Sequence, residues 1–177
     1  PGLVVVAVAA LIAPLVSCFA RRPVHLAQRV ELNELNGQGF SPLLIAAEAA
    51  SRNPHVDSWL HCARKLIKAG ANVHFTTPEG DLALHLVARI DPLTKDVRDM
   101  QLRVMRQLLA GGCDINFPNA TRLRPLHCAV LAGALDAVKL LLAAGANPML
   151  RADETHGNED SVDMAIRSTK RDLIDAL

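Results

Sequence analysis

The chain has 177 residues, with 19 lysines and arginines against 18 aspartates and glutamates, so its formal net charge is +1. That balance argues against a dedicated nucleic-acid binder, which needs a strongly basic surface. Half of the residues are hydrophobic but only 3% are aromatic, which favours a core of alanine and leucine between closely packed helices. The length suits a single domain, residues 1–177, with a continuous core.

The first predicted element is the uncharged segment LVVVAVAALIAPLVSCFA at residues 3–20, which Arg21 and Arg22 follow. Its length is marginal for a membrane span, and the two arginines suit a cytoplasmic flank. However, Pro14 interrupts the segment, and no basic region precedes it as in a signal peptide. We therefore favour an irregular N-terminal capping unit at residues 1–38 and keep a membrane or signal segment as the alternative.

A helix-pair pattern then recurs along the chain. Helix starts are predicted at SPLLIAA (41–47), LALHLVA (82–88), RPLHCAV (124–130) and a degenerate SVDMAI (161–166). Helix ends are predicted at KLIKAGANVH (65–74), QLLAGGCDIN (107–116) and LLLAAGANPM (141–150). Measured at Pro42, Ala83, Pro125 and Ser161, the starts are 41, 42 and 36 residues apart. Such a period indicates a stacked array, because one helix pair cannot bury its own apolar face.

The most regular copy is residues 124–148, RPLHCAVLAGALDAVKLLLAAGANP. Pro125 suits the first turn of a helix, and Gly145 suits a left-handed residue after the second helix. Between them the apolar residues recur at helical spacing. They form two stripes, Leu126, Ala129 and Val130 in the first helix and Leu135, Val138, Leu141 and Leu142 in the second. The copy is predicted to be two short antiparallel helices and an exit turn.

RPLHCA followed by LLLAAGANP resembles the ankyrin repeat, whose pattern is T-P-L-H-x-A in a unit of about 33 residues. The resemblance covers roughly residues 36–177. It implies an all-α solenoid of about four to five helix pairs with projecting β-hairpin turns, and binding of other proteins without chemistry. The predicted repeats are 39–80, 81–121 and 122–156, with a C-terminal partial repeat at 157–177. Arg124 departs from the family by replacing the usual threonine.

The first two repeats also depart from the family in length. Pro42 to Gly70 spans 28 residues and Ala83 to Gly112 spans 29, against 20 from Pro125 to Gly145. The insertions are placed around 49–58, with Asp57 as a helix N-cap, and around 89–100, where the second helix is predicted to start early. Trp59 in this region is either core or, with His55, Arg89 and Arg98, a partner-binding anchor.

No chemical site is predicted. His85 and His127 recur at the same place in their repeats, which indicates bonds to backbone groups rather than catalysis. Cys62 and Cys128 each follow a histidine, but adjacent residues on a helix diverge by about 100° and do not chelate a metal. Phosphate-loop, zinc-protease and nucleophile-elbow motifs are absent from the sequence. We therefore predict no enzyme activity, cofactor, metal or small-molecule substrate.

The predicted turns are the candidate contact regions, since stacking consumes the apolar helix faces. They are residues 33–40, 75–81, 117–124 and 151–160. Phe75 and Phe117 recur at matching positions, so packing is favoured over binding. Glu79 lies in a Pro-Glu-Gly turn, and Arg122 and Arg124 either grip a carboxylate or are solvated.

These predictions converge on a non-catalytic protein-interaction module, an adaptor or scaffold that uses its inner helix face and projecting turns. The cysteines form no C-x-x-C pair and suit reduced thiols in the cytoplasm or nucleus. One alternative is a substrate-recognition subunit of a ubiquitin ligase or similar complex. A second alternative is a cytoplasmic domain tethered to a membrane by residues 3–20.

Overall fold

The computed structural model describes residues 32–52, 56–92, 94–153, 157–167 and 177. Regular structure within these ranges is helical, apart from an isolated antiparallel bridge between Thr76 and Leu82. The helices are α1 (Pro42–Arg52), α2 (Val56–Lys68), α3 (Ala83–Ala88), α4 (Lys95–Ala110), α5 (Pro125–Ala132), α6 (Leu135–Ala143) and α7 (Ser161–Arg167). The all-α class is confirmed. The number of helix pairs and the β-hairpin form of the turns stay predictions.

Two of the sequence predictions fall on residues beyond these ranges. The uncharged segment at 3–20 lies wholly outside them, and the predicted capping unit at 1–38 lies outside them except for residues 32–38. Leu32, the first described residue, is buried against the core.

The helices pack as two layers. The inner layer is α1, α3, α5 and α7, each in contact with the next, and the outer layer is α2, α4 and α6, likewise in contact in order. Each of α1, α3 and α5 also packs on the outer helix that follows it. The hydrophobic core lies where these helices meet, and its fully buried large side chains include Leu44, Leu60, Leu84, Met105 and Leu141. The fold is therefore a stack of helix pairs.

The pair α5 and α6 follows the sequence pattern. Leu126, Ala129 and Val130 are buried in α5, and Val138 and Leu141 are buried in α6. After α6, Gly145 takes the predicted left-handed conformation with φ 95°. The backbone N–H of Ala146 then reaches back to the carbonyl of Leu141 at 2.9 Å, which gives a bond to one of the helix's last carbonyls. The first predicted stripe and the exit turn are confirmed, whereas Leu135 and Leu142 of the second stripe are only partly buried.

The extra residues of the first two units lengthen three of their four helices, α3 being the exception. α1, α2 and α4 have 11, 13 and 16 residues, whereas α5 and α6 have 8 and 9. The predicted early start of α4 is confirmed: Thr94 is its N-cap, and Thr94 Oγ1 accepts the backbone N–H of Val97 at 3.3 Å. The N-cap prediction for Asp57 is wrong, because α2 already includes Val56 and Asp57 lies in its first turn.

With six residues, α3 is the shortest of the described helices, and two features account for its end. Asp91 precedes Pro92, whose ring disfavours helical backbone at the residue before it. Beyond that, Gln101 of α4 inserts its side chain against the end of α3 and is only 1% exposed. Its Nε2 donates to the carbonyls of Val87 and Ile90, both at 2.9 Å. The longer outer helix α4 thus supplies a hydrogen-bond donor to carbonyls at the end of the shorter inner helix α3.

Candidate partner-binding surface

The turns between the helix pairs line up along one edge of the stack. We call this the turn edge and define it as residues 33–41, 75–82, 117–124 and 149–153. Asn119 illustrates how each turn is held: its Oδ1 accepts the backbone N–H groups of Thr121 at 3.0 Å and Leu123 at 2.9 Å. Asn36 and Thr77 accept backbone N–H groups in the same way within the earlier turns. Short polar side chains therefore fix the shape of these turns.

Backbone bonds also join one turn to the next. The N–H of Ala120 donates to the carbonyl of Glu79 at 3.0 Å, and the N–H of Asp153 donates to the carbonyl of Thr121 at 3.3 Å. The second, third and fourth turns thus form a continuous surface. Glu79 itself is exposed at the tip of its turn.

Two buried histidines form hydrogen bonds with backbone groups of the turns. His85 Nδ1 accepts the backbone N–H of Leu82 at 3.1 Å, so Nε2 carries the proton and donates to the carbonyls of Phe117 at 3.0 Å and Leu123 at 3.2 Å. His127 Nδ1 accepts the backbone N–H of Arg124 at 3.0 Å in the matching place. Burial is the main cause that lowers the pKa of His85 below 6.5, and Asp81 opposes it. The predicted structural role of both histidines is confirmed.

Asp81 organises the next polar contact. It is 6% exposed, and its two carboxylate oxygens accept from Arg89 Nη2 at 2.9 Å and from Asn119 Nδ2 at 2.8 Å. Removing an unpaired carboxylate from water would be costly, so these two partners explain its burial. Arg89, a predicted anchor, is therefore already held by an acid of its own chain.

The other predicted anchor residues within the described ranges have different neighbours from Arg89 and from one another. Trp59 of α2 is partly buried against the core, and Arg98 of α4 pairs with Asp136 of α6 at 3.2 Å. His55 lies outside the described residues. Within the described part of the chain, no hydrogen bond or ion pair joins Trp59 to Arg98 or to Arg89. The role of this group in binding stays a prediction.

By contrast, Arg122 and Arg124 are brought together with a third arginine. Arg124 Nη1 donates to the backbone carbonyl of Arg122 at 3.1 Å and to that of Arg151 at 2.8 Å. Arg122 and Arg151 are exposed. Burial, and to a smaller extent the charge of Arg122, lowers the pKa of Arg124. Arg151 was not among the binding residues predicted from sequence, although it is the first residue of the predicted turn at 151–160.

Large apolar side chains are also exposed near these elements. Leu131, near the end of α5, is 46% exposed, and Ile166 of α7 is 54% exposed. Leu35 and Met149 are exposed within the turn edge. Single exposed apolar residues are common, but these four lie on the inner layer or the turn edge.

The described thiols are unsuited to nucleophilic chemistry at neutral pH. Burial raises the pKa of Cys113 and that of Cys128 to about 11, and it also raises the pKa of Cys62. Since the thiolate is the reactive form, burial lowers the reactivity of these thiols at neutral pH. Across the described ranges, no three His, Cys, Asp or Glu residues form a group that could hold a metal ion. Nor does any described helix have the length and apolar character needed to cross a membrane.

A comparison with known families completes this description. The family model for ankyrin repeats, in three copies, matches residues 49–152. The match covers more than half of the chain and runs from the end of α1 to the fourth turn. Ankyrin repeats generally bind other proteins and are typically non-catalytic. On the stacked helix pairs, the linked turns and this match, the chain belongs to the ankyrin-repeat family.

Proposed function

We propose that this chain is a non-catalytic interaction module that binds a protein partner through its inner layer and turn edge. Membership of the ankyrin-repeat family supports a protein as the partner. We choose this surface because Leu131 of α5 is exposed. Ile166, which is also exposed, lies on the same inner layer. Covering an aliphatic side chain that is about half exposed makes a favourable contribution to the free energy of binding.

An adaptor or scaffold role is the form of this function that we favour. The turn edge supports it, because bonds between turns preorganise the surface and lower the entropy cost of binding. The described cysteines, Cys62, Cys113 and Cys128, are free thiols, which suits the reducing cytoplasm or nucleus. We propose that location for the protein.

An affinity-capture experiment with a matched pair of variants tests the proposal. The purified 177-residue chain is the bait, and Leu131→Glu is compared with Ala143→Glu, which places the same charge on an exposed position of α6 in the outer layer. Captured proteins are identified by mass spectrometry, and their affinities are then measured with purified components. We expect a partner that the unmodified chain and Ala143→Glu retain and that Leu131→Glu loses.

Melting temperatures of both variants are measured alongside, so that lost binding is not confused with unfolding. If every captured protein bound Leu131→Glu as tightly as the unmodified chain, the inner layer would not be the binding surface. If the chain captured no protein specifically, the interaction function itself would be rejected.

A further inference from the structure

Resting on the proposed interaction function, we propose that Arg122, Arg124 and Arg151 form a binding site for an acidic segment of the partner protein. The segment would present neighbouring aspartate or glutamate carboxylates to the third and fourth turns. We call these three residues the arginine cluster. Four observations lead to this proposal.

The first observation is that the cluster is built by specific bonds. Arg124 Nη1 binds the backbone carbonyls of Arg122 and Arg151, so one guanidinium holds together two turns that are 27 residues apart in sequence. The N–H of Asp153 adds a bond to the carbonyl of Thr121 between the same turns. Three positive charges are thereby confined to one part of the turn edge.

The second observation is that no acid of the described chain neutralises them. The ion pairs within the described residues use other arginines: Arg52 with Glu48, Arg89 with Asp81, Arg98 with Asp136 and Arg167 with Glu159. Arg89 provides the contrast, since it also lies beside the turn edge but is held by a buried carboxylate at 2.9 Å. Within the described residues, the arginine cluster has no carboxylate partner, which favours an anionic partner from outside.

The third observation is the backbone of Arg122. It has φ 55°, in the left-handed region, whereas the corresponding places in the first two turns are Gly39 and Gly80 with φ 82° and 80°. Glycine takes this conformation without steric cost, and an arginine does not. A residue held in an unfavourable backbone conformation at an exposed turn points to a use for its side chain.

The fourth observation is the repulsion within the cluster. The charge of Arg122 contributes, after burial, to the lowered pKa of Arg124, so the Arg122 guanidinium is close enough to disfavour the charged form of Arg124. A carboxylate placed beside Arg124 would oppose that effect, because a nearby negative charge favours the charged form of a guanidinium group. Guanidinium groups also bind carboxylates through two parallel N–H donors, which an ammonium group cannot match.

An acidic protein segment fits these observations better than a nucleic acid does. A nucleic-acid surface follows the phosphate backbone with many cations, whereas this chain has a net charge of +1 and the cluster comprises three arginines. An oligonucleotide is therefore the competing ligand in the test.

The test measures binding of labelled peptides by fluorescence anisotropy at low and at physiological salt. The probes are a hexapeptide of alternating glutamate and aspartate, its glutamine and asparagine counterpart, and an oligonucleotide of equal charge. Arg122→Gly removes one charge and the unfavourable backbone conformation together, so a loss of binding cannot come from loss of stability. Arg151→Gln removes a second charge at an exposed site. Arg103→Gln, at an exposed position of α4, is the control.

We expect the acidic peptide to bind more tightly than its neutral counterpart and than the oligonucleotide. Arg122→Gly and Arg151→Gln should each weaken it about tenfold, since each removes a charge-assisted hydrogen bond. Arg103→Gln should leave it unchanged. Equal binding of acidic and neutral peptides, an equal loss with Arg103→Gln, or a preference for the oligonucleotide would each overturn the acidic-segment site.

Failure of this inference is distinguishable from failure of the proposed function. If a captured protein lost affinity for Leu131→Glu but bound Arg122→Gly and Arg151→Gln normally, the interaction function would stand and the arginine cluster would not be its acidic site. If the chain captured no protein specifically, the function itself would fail whatever the peptides did.

Discussion

Gln101 of α4 donates from its Nε2 to the carbonyl of Val87 at 2.9 Å and so binds the last turn of the neighbouring inner helix. The same nitrogen reaches the carbonyl of Ile90 at 2.9 Å. Carbonyls at the end of a helix lack partners within the helix, and here a side chain from another helix supplies the donors. This relationship explains why a polar residue is 1% exposed within a core of aliphatic side chains.

Replacing this donor should therefore be costly. Gln101→Met keeps a similar size but leaves the carbonyl of Ile90 without its Gln101 donor, and we expect a loss of about 1–3 kcal/mol in the free energy of unfolding. Urea denaturation measures the loss. Arg103→Met, an exposed change two residues later in the same helix, should alter stability by less than about 0.5 kcal/mol. Equal effects of the two variants would show that the Gln101 bonds contribute nothing.

Leu141 provides a test of the core between α5 and α6. It is fully buried, so Leu141→Ala should cost about 2–5 kcal/mol, the sum of lost burial and the cavity left behind. The neighbouring helix pairs should lose stability with it, because each pair is stabilised by the next. Thermal unfolding measures both effects. Leu131→Ala, the same change at a 46% exposed position, is the control and should cost much less.

Trp59 separates a packing role from a binding role. Because its ring is partly buried against the core, we expect Trp59→Ala to lower the free energy of unfolding by about 1–3 kcal/mol. Calorimetry measures the change, and His61→Ala, at an exposed position on the same helix, is the control. An unchanged melting temperature together with lost partner binding would instead identify Trp59 as an anchor.

His85 makes stability depend on pH. Burial lowers its pKa in the folded chain below the ordinary 6.5, so the unfolded chain binds the proton first as the pH falls. Its contribution to stability is complete above about pH 6.5 and is lost as the pH falls towards the folded-state pKa. Urea midpoints at about pH 7.5 and about pH 5.5 should show a larger acid-induced loss in the unmodified chain than in His85→Gln. Arg103→Gln, at an exposed position of α4, should show the same acid-induced loss as the unmodified chain.

Arg122 should be replaceable by glycine with a gain in stability. Its φ of 55° is unfavourable for any residue with a Cβ atom, by about 1 kcal/mol or more. Arg122→Gly should therefore raise the melting temperature, as measured by differential scanning calorimetry. Arg122→Ala keeps the Cβ atom and should not. Should both variants gain equally, relief of charge repulsion rather than backbone conformation would be responsible.

The repeating part of the fold was accessible from sequence because its determinants are local and periodic. Three features depend on residues only a few positions apart in sequence. They are the apolar stripes of α5 and α6, the left-handed Gly145 and the early start of α4. The recurrence of His85 and His127 further identified their role, since equivalent positions in stacked repeats face equivalent backbone groups.

The contacts that define the candidate surface were less accessible, because they join residues distant in sequence. The pairing of Arg124 with the carbonyl of Arg151 depends on how the third and fourth turns stack. Likewise, nothing local indicates that Arg89 binds Asp81 or that Gln101 reaches the end of α3. For Asp57 the error was one of position: a good N-cap residue also suits the first turn, where its charge is favourable.

Side chains of earlier repeats also hold the backbone of later ones. Asn33 Oδ1 accepts the backbone N–H of Asn72 at 2.7 Å, and Asn116 Oδ1 accepts that of Asn147 at 3.0 Å. The acceptor is a specific side chain, but the donor is a group that every amino acid except proline possesses. At this junction, the hydrogen bond therefore places almost no requirement on the side chain of the donor residue in the later repeat. Because only the acceptor side chain is specified, repeats of different sequence can follow one another in the chain. New combinations of repeats can therefore keep this hydrogen bond.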